Sequence, residues 1–212
     1  MTKPAWGVTI TDVRTHFDTT VMDADRVYQL LTSAVVPRPI AWVSTRSADG
    51  VDNLAPYSFF TIASTNPPIV QFTSVGRKDS VRNVRETGEF VVNFASQPLI
   101  DQVNNSSAAF DSAVSEFTEL DIRVAPSVKV APLRVKEAPI SLECVLEQIV
   151  EIGDSVIVFG RVVFATANSS VLDDDGLPDS RAIAPLSRFG RTEWGLGAEI
   201  RDVARPSPPP TR

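Results

Sequence analysis

"APISLECVLEQIVEI", Ala138 to Ile152, runs through Gly153-Asp154 into "SVIVFGRVVFATA", Ser155 to Ala167. Both runs are rich in Val, Ile and Phe, and a Gly-Asp pair between two such runs is a strong signal for a β-hairpin. Alternation in the first run puts Leu142, Cys144, Leu146 and Gln148 on one face. This antiparallel pair fixes the class of fold, and the rest of the chain is read outward from it.

Upstream, "IAWVST" (40–45), "LAPYSFFTIAS" (54–64), "PPIVQFTS" (67–74) and "EFVVNFA" (89–95) also read as strands. Pro56 breaks the second, which places it at a sheet edge or bulge because proline has no amide to donate to a ladder. Three helices fit between them. "DADRVYQLLTSA" carries Val27, Leu30, Leu31 and Ala34 at helical spacing behind Asp23, an N-cap candidate. "SVRNVRET" is a short helix stopped by Gly88, and "PLIDQVNNSSAAF" is a third. "SEFTELDIRVAPSVKVAPLRV" has too many prolines for a helix and reads as connection with a short strand. "DDDGLPDS" is a solvated acidic turn, and "AIAPLSRFGRTEWGLG" lacks periodicity. Strands outnumber helices, and too few connections can hold a helix for a doubly wound fold. The expectation is a mainly β protein, an antiparallel barrel with peripheral helices. The organisation is an extension at 1–21, one domain at 22–200 and a Pro-rich tail at 201–212, whose consecutive prolines deny it helix or ladder.

The bulk composition narrows the functions. The chain has 212 residues with a net charge of −6, which argues against a general nucleic-acid binder. Cys144 is the lone cysteine, so there is no disulfide framework, and a reducing cytoplasm suits it. His16 is the lone histidine, which leaves no His-rich metal site and reads as a surface or packing residue. No apolar run is long enough to span a bilayer, and "MTKPAWGVTI" lacks the apolar core of a signal peptide.

Against this acidic background, "TSVGRKDSVRNV" (73–84) is locally basic. A phosphate site needs converging backbone amides, positive charge and often a hydroxyl. Ser74 ends a strand, Gly76 lets backbone approach a ligand, Arg77 and Lys78 supply charge, and Asp79 and Ser80 sit where the helix begins. The spacing is not that of a Walker motif. The alternative is a polar turn that only caps a helix. Arg82 and Arg85 read as a solvated face.

The residues together resemble a known family. "RPIAWVST", "NLAPYSFF", "NPP", "RKDS" followed by Asn83, and "GEFVVN" follow one another over some sixty residues in the order of the flavin reductase-like, FMN-binding split-barrel family. The resemblance continues more loosely through the hairpin and "PLSRFGRTEWG". It implies a homodimer of six-stranded antiparallel split barrels with FMN near the dimer interface. Carried over residue by residue, Lys78, Asp79 and Ser80 hold the phosphate, with Arg77 beside them and Ser74 leading into the turn. Ser44 and Thr45 lie near the ribityl chain and phosphate. Asn53, Ala55, Pro56, Tyr57 and Ser58 meet the isoalloxazine, and Arg38, Pro39 and Trp42 flank it. Arg188, Phe189, Arg191 and Trp194 belong to a segment that closes over the flavin, from the same or the partner subunit. Each has a plainer reading: Trp42 and Phe60 as core, Pro56 as a bulge, Asn53 as turn chemistry, Arg188 and Arg191 as solvated.

What the family implies chemically is hydride transfer from NADH or NADPH to FMN N5, with the protein supplying stacking geometry and donors. The product, reduced flavin, would serve a monooxygenase. Two departures stand out. Ser155 occupies a hairpin position where many flavin reductases of this family carry histidine, and Trp194 stands where tyrosine is common. The first keeps two other activities open: a flavoredoxin-like FMN electron carrier, and a split-barrel flavoenzyme with its own small organic substrate.

Overall fold

The computed structural model describes residues 8–11 and 14–206. The end of the Pro-rich tail, 207–212, lies outside the described residues, and 201–206 form neither helix nor strand. Of the N-terminal extension, Val8–Thr11 pairs antiparallel with Arg14–Phe17.

Seven strands form one sheet in the order Asp52–Tyr57, Ala41–Arg46, Glu89–Phe94, Ile140–Ile152, Ser155–Ala167, Pro68–Val75, Phe60–Thr65. Every neighbouring pair is antiparallel. The two edge strands follow each other in the chain across Ser58 and Phe59, and the Phe59 carbonyl accepts the Thr73 amide at 2.8 Å. The chain itself thus draws the edges together into a split barrel. The aromatic run 54–64 supplies both edges and not one broken strand, so the sheet has one strand more than the six expected. Pro56 sits on an edge strand, opposite Trp42, where its missing amide costs no ladder bond.

The hairpin forms over Ile140–Ile152 and Ser155–Ala167, with Gly153 at φ 58° in its turn. The alternation holds through Cys144 and Leu146, and a register shift between Leu146 and Gln148 then changes its phase. Gln148 is therefore exposed, and Ile149 packs on the core in its place.

Two cores lie on opposite faces of the first strands. Inside the barrel, Val43, Tyr57, Phe72, Phe90, Cys144 and Val158 pack together, with Phe72 4.7 Å from the Tyr57 ring and 5.4 Å from Phe90. The strand at Ser155–Ala167 passes so close to Phe90 that a Cβ on Gly160 would lie 2.1 Å from the ring. Outside it, Ile40, Trp42, Leu54, Leu99, Val103 and Phe117 form a second core. Ala41 to Thr45 are consequently buried without alternation.

Helix Asp79–Thr87 covers the barrel with Val81 and Val84, and ends at Gly88 in the left-handed region, φ 75°. Helix Ala24–Ala34 starts at Asp23, whose side chain accepts the amides of Asp25 and Arg26. Its apolar residues stay largely uncovered: Tyr28 is 55% and Leu31 54% exposed, with Val35 beyond the helix at 62%. The third expected helix is shorter than its sequence pattern, a 3-10 turn at Gln97–Leu99 and Ile100–Asn105, after which Ser106 onward is irregular. Residues 186–188 and 194–196 form a small sheet with Arg38–Pro39. Among the described residues, no helix is long and apolar enough to cross a membrane.

Candidate functional site

The basic turn leaves the strand at Val75. Gly76 adopts φ 76°, and its amide donates to the Asp154 carbonyl at the hairpin tip at 2.9 Å. Ser74 Oγ donates to the Gly76 carbonyl at 2.9 Å, which pins the turn from inside. Lys78 then occupies the N-cap of helix Asp79–Thr87 with no side-chain capping bond. An α-helix begins with amides that lack intrahelical acceptors, and without a cap they favour an anion. Asp79 is engaged by Arg82 at 2.6 Å, and Arg77 reaches Glu151 at 3.2 Å, so among the described residues Lys78 is the cation of the turn without an ion pair. Glu151 also pairs with Arg85, and the two arginines hold its carboxyl below the usual range.

Beneath the turn lies a buried polar network. Asn53 Nδ2 donates to Ser80 Oγ at 3.0 Å, and Asn83 Nδ2 donates to Thr45 Oγ1 at 3.1 Å. These two bonds tie the helix start to both N-terminal strands of the sheet. Beside them the Tyr57 hydroxyl is buried, faces the Ser74 and Ser80 hydroxyls, and makes no hydrogen bond of good geometry. Burial pushes its pKa up.

Eight of the residues singled out in the sequence line one cleft of about 300 Å³: Asn53, Ala55, Pro56, Tyr57, Arg77, Lys78, Asp79 and Ser80. The loop Ser106–Phe110 and Glu116 share it. These were missed in the sequence, because "SSAAF" and one glutamate carry no local mark of a site. Their role comes from packing across a long sequence separation.

Four residues read as flavin contacts require correction. Trp42, Ser44, Thr45 and Ser74 are each 0% exposed, so none presents a surface to a ligand. Trp42 lies in the second core with Nε1 donating to Ser106 Oγ at 2.9 Å. Ser44 Oγ donates to the Leu133 carbonyl at 2.5 Å. Thr45 and Ser74 hold Asn83 and the turn, as above. They shape the cleft from behind.

The remaining residues stand elsewhere on the chain. Arg38, Pro39 and Ser58 line a second cleft of about 430 Å³ with Leu31, Val35 and Phe59. The buried Arg38 guanidinium donates to the carbonyls of Thr32, Val35 and Phe189 and to Ser58 Oγ. Phe189 and Pro39 border a third groove, and Arg191 a fourth with Phe17 and Leu30. The Arg188 guanidinium stacks 4.6 Å over the Trp194 ring and donates to the Arg191 carbonyl, so it is not simply solvated. Within one chain these groups do not meet the phosphate turn.

Residues 33–186 match the family model described as flavin reductase like domain. The chain belongs to that family. Its relatives include an uncharacterized protein of Deinococcus radiodurans, 41% identical over 187 residues, covering 83% of this chain and 82% of the relative. The flavin reductase-like domain superposes on nitrilotriacetate monooxygenase component B from Bacillus cereus with a TM-score of 0.86 at 29% identity, covering 91% of this chain and all of the other. It superposes on 2-nitrobenzoate 2-nitroreductase from Pseudomonas fluorescens with a TM-score of 0.85 at 26% identity, covering 92% and 98%. For a flavin reductase-like domain, the cofactor to test against the cleft is FMN. An uncapped helix start, the adjacent Lys78 and Arg77, and Ser80 lining the cleft fit a phosphate-bearing ligand.

Proposed function

We propose that this protein is an NAD(P)H:flavin oxidoreductase that binds FMN in the cleft between Asn53–Tyr57 and Arg77–Ser80. The observation that carries this reading is the uncapped helix start at Lys78, whose first residues Asp79 and Ser80 line the same cleft as Asn53, Ala55 and Pro56. Lys78 and Arg77 supply charge to the phosphate, the first-turn amides and Ser80 Oγ supply hydrogen bonds, and Asn53 fixes that hydroxyl. Ala55, Pro56 and Tyr57 form the wall along which the ligand lies. When bound, FMN supplies the hydride acceptor, and NADH or NADPH the hydride. The protein contributes stacking geometry and exclusion of water.

The ring end is completed by a homodimer. In this arrangement Arg38, Ser58 and the 188–194 segment of one subunit approach the cleft of the other, across the uncovered face of helix Ala24–Ala34. Similarity to a monooxygenase component B supports delivery of the reduced flavin to a monooxygenase. A reducing cytoplasm suits the buried thiol of Cys144.

One observation favours an electron carrier as the second reading. Ser155 pairs with Val75 at the hairpin tip and donates to Asp154 Oδ1 at 2.8 Å. It offers no imidazole to a nicotinamide there. NADH and NADPH oxidation with and without added free FMN separates the two. A reductase accelerates several-fold with the added flavin, whereas flavin-independent, negligible oxidation contradicts the reductase assignment.

A further inference from the structure

Two buried polar bonds tie a single loop to the barrel. At its start, Ser106 Oγ accepts Trp42 Nε1–H at 2.9 Å and donates to the Val103 carbonyl at 3.0 Å. At its end, Glu116 is only 6% exposed, and its Oε2 accepts the Leu54 amide at 2.8 Å. Leu54 lies on an edge strand, where an outward amide has no further strand to bond. The carboxylate takes the place of that strand.

Between the anchors, residues 107–115 are mostly small, and Phe110 is the aromatic one. Ser107 to Phe110 line the cleft that also holds Lys78, Asp79 and Ser80. Ser107 to Ala109 and Asp111 to Ala113 are exposed, so the wall is buried chiefly at its ends.

A carboxylate is a costly choice for an anchor. Burial raises the Glu116 pKa, the Leu54 N–H offsets only part of that, and the charge of Asp79 adds to the rise. An apolar residue would suit folding better at such a depth, but it would leave the Leu54 amide bare. What the acid achieves is a fixed distance between the loop and the strand that floors the cleft.

We propose that Glu116 is a positioning residue of the flavin cleft: through Leu54 it holds the 106–116 loop as a wall against bound FMN. The proposal rests on the FMN reading above. Glu116→Gln keeps an oxygen acceptor for the Leu54 amide, Glu116→Ala removes it, and Glu116→Asp keeps the charge but loses reach. FMN affinity is measured by quenching of flavin fluorescence, alongside thermal melts and chymotrypsin cleavage at Phe110 in flavin-free protein.

Loss of one buried acceptor is expected to weaken FMN about tenfold in the Ala and Asp variants and to speed cleavage at Phe110. The Gln variant is expected to stay within about twofold of wild type, because its acceptor is retained. If the Ala variant does not fold, the Asp and Gln pair decides the matter. Wild type that binds FMN while the Ala or Asp variant binds it equally well, or a Gln variant as weak as Asp, overturns the positioning role alone. Wild type that takes up no FMN overturns the functional reading and this role together.

Discussion

The cleft at Lys78–Ser80 and the cleft at Arg38 belong to the same barrel but are held by different means. At the first, side chains bond side chains in the dry interior: Asn53 to Ser80 and Asn83 to Thr45. The result is a helix start aimed at one place, complete within a single chain. At the second, one guanidinium gathers backbone carbonyls from Thr32, Val35 and Phe189, and the surrounding surface is apolar and bare. Tyr28, Leu31 and Val35 there are each more than half exposed. Contiguous apolar faces of this kind are seldom left to water. The difference teaches that the proposed phosphate end is preorganised within one chain, whereas the surface around Arg38 is left uncovered by that chain, which is why the proposed function puts a second copy over it.

The largest effect is expected from attacking that bare face. In Leu31→Asp the charge costs little on an isolated chain, but in a dimer interface it is desolvated without a partner. Light scattering is expected to report a monomer for Leu31→Asp and a dimer for wild type. A wild-type monomer that still carries flavin breaks the comparison, because both ends would then have to lie in one chain.

Next comes Lys78→Ala, which attacks the phosphate end alone. A charge-assisted bond to phosphate is worth about 1.5–3 kcal/mol, so FMN affinity is expected to fall roughly ten- to more than a hundredfold while the dimer persists. Unchanged FMN titration removes Lys78 from the site. Smaller still is Asn83→Ala, which leaves the buried Thr45 hydroxyl without its donor at about 1–3 kcal/mol. For a chain of this size, each kcal/mol lowers Tm by roughly 2–4 °C. A Tm equal to wild type would mean that the network beneath the turn does not hold it.

Much of this was readable from the sequence, for local reasons. The Gly153-Asp154 hairpin, the Asp23 cap, the Gly88 stop and the basic turn are each encoded within a few residues, and each is found. What the sequence hid depends on a second layer. Ser44 and Thr45 look like polar residues at an accessible strand end, yet the core built by Leu99, Val103 and Phe117 covers that face and turns them into buried anchors. Trp42 reads as core or flavin wall from sequence alone, and it is core, with its indole N–H donating to Ser106 Oγ. Strict alternation puts Gln148 on the face of Leu142 and Cys144, and one bulge undoes it. Glu116 carries no local signal, because its partner amide lies 62 residues away in the chain.

The most direct test of the account is the visible spectrum of the purified protein with FMN, followed without oxygen as NADH and then NADPH are added. The account predicts flavin absorption that stays with the protein through gel filtration and bleaches with one of the two nicotinamides. Absorption that persists with both but bleaches with dithionite contradicts the reductase assignment and leaves the carrier. A protein that retains no flavin at all contradicts the central claim, and the turn at Lys78 is then only the start of a helix.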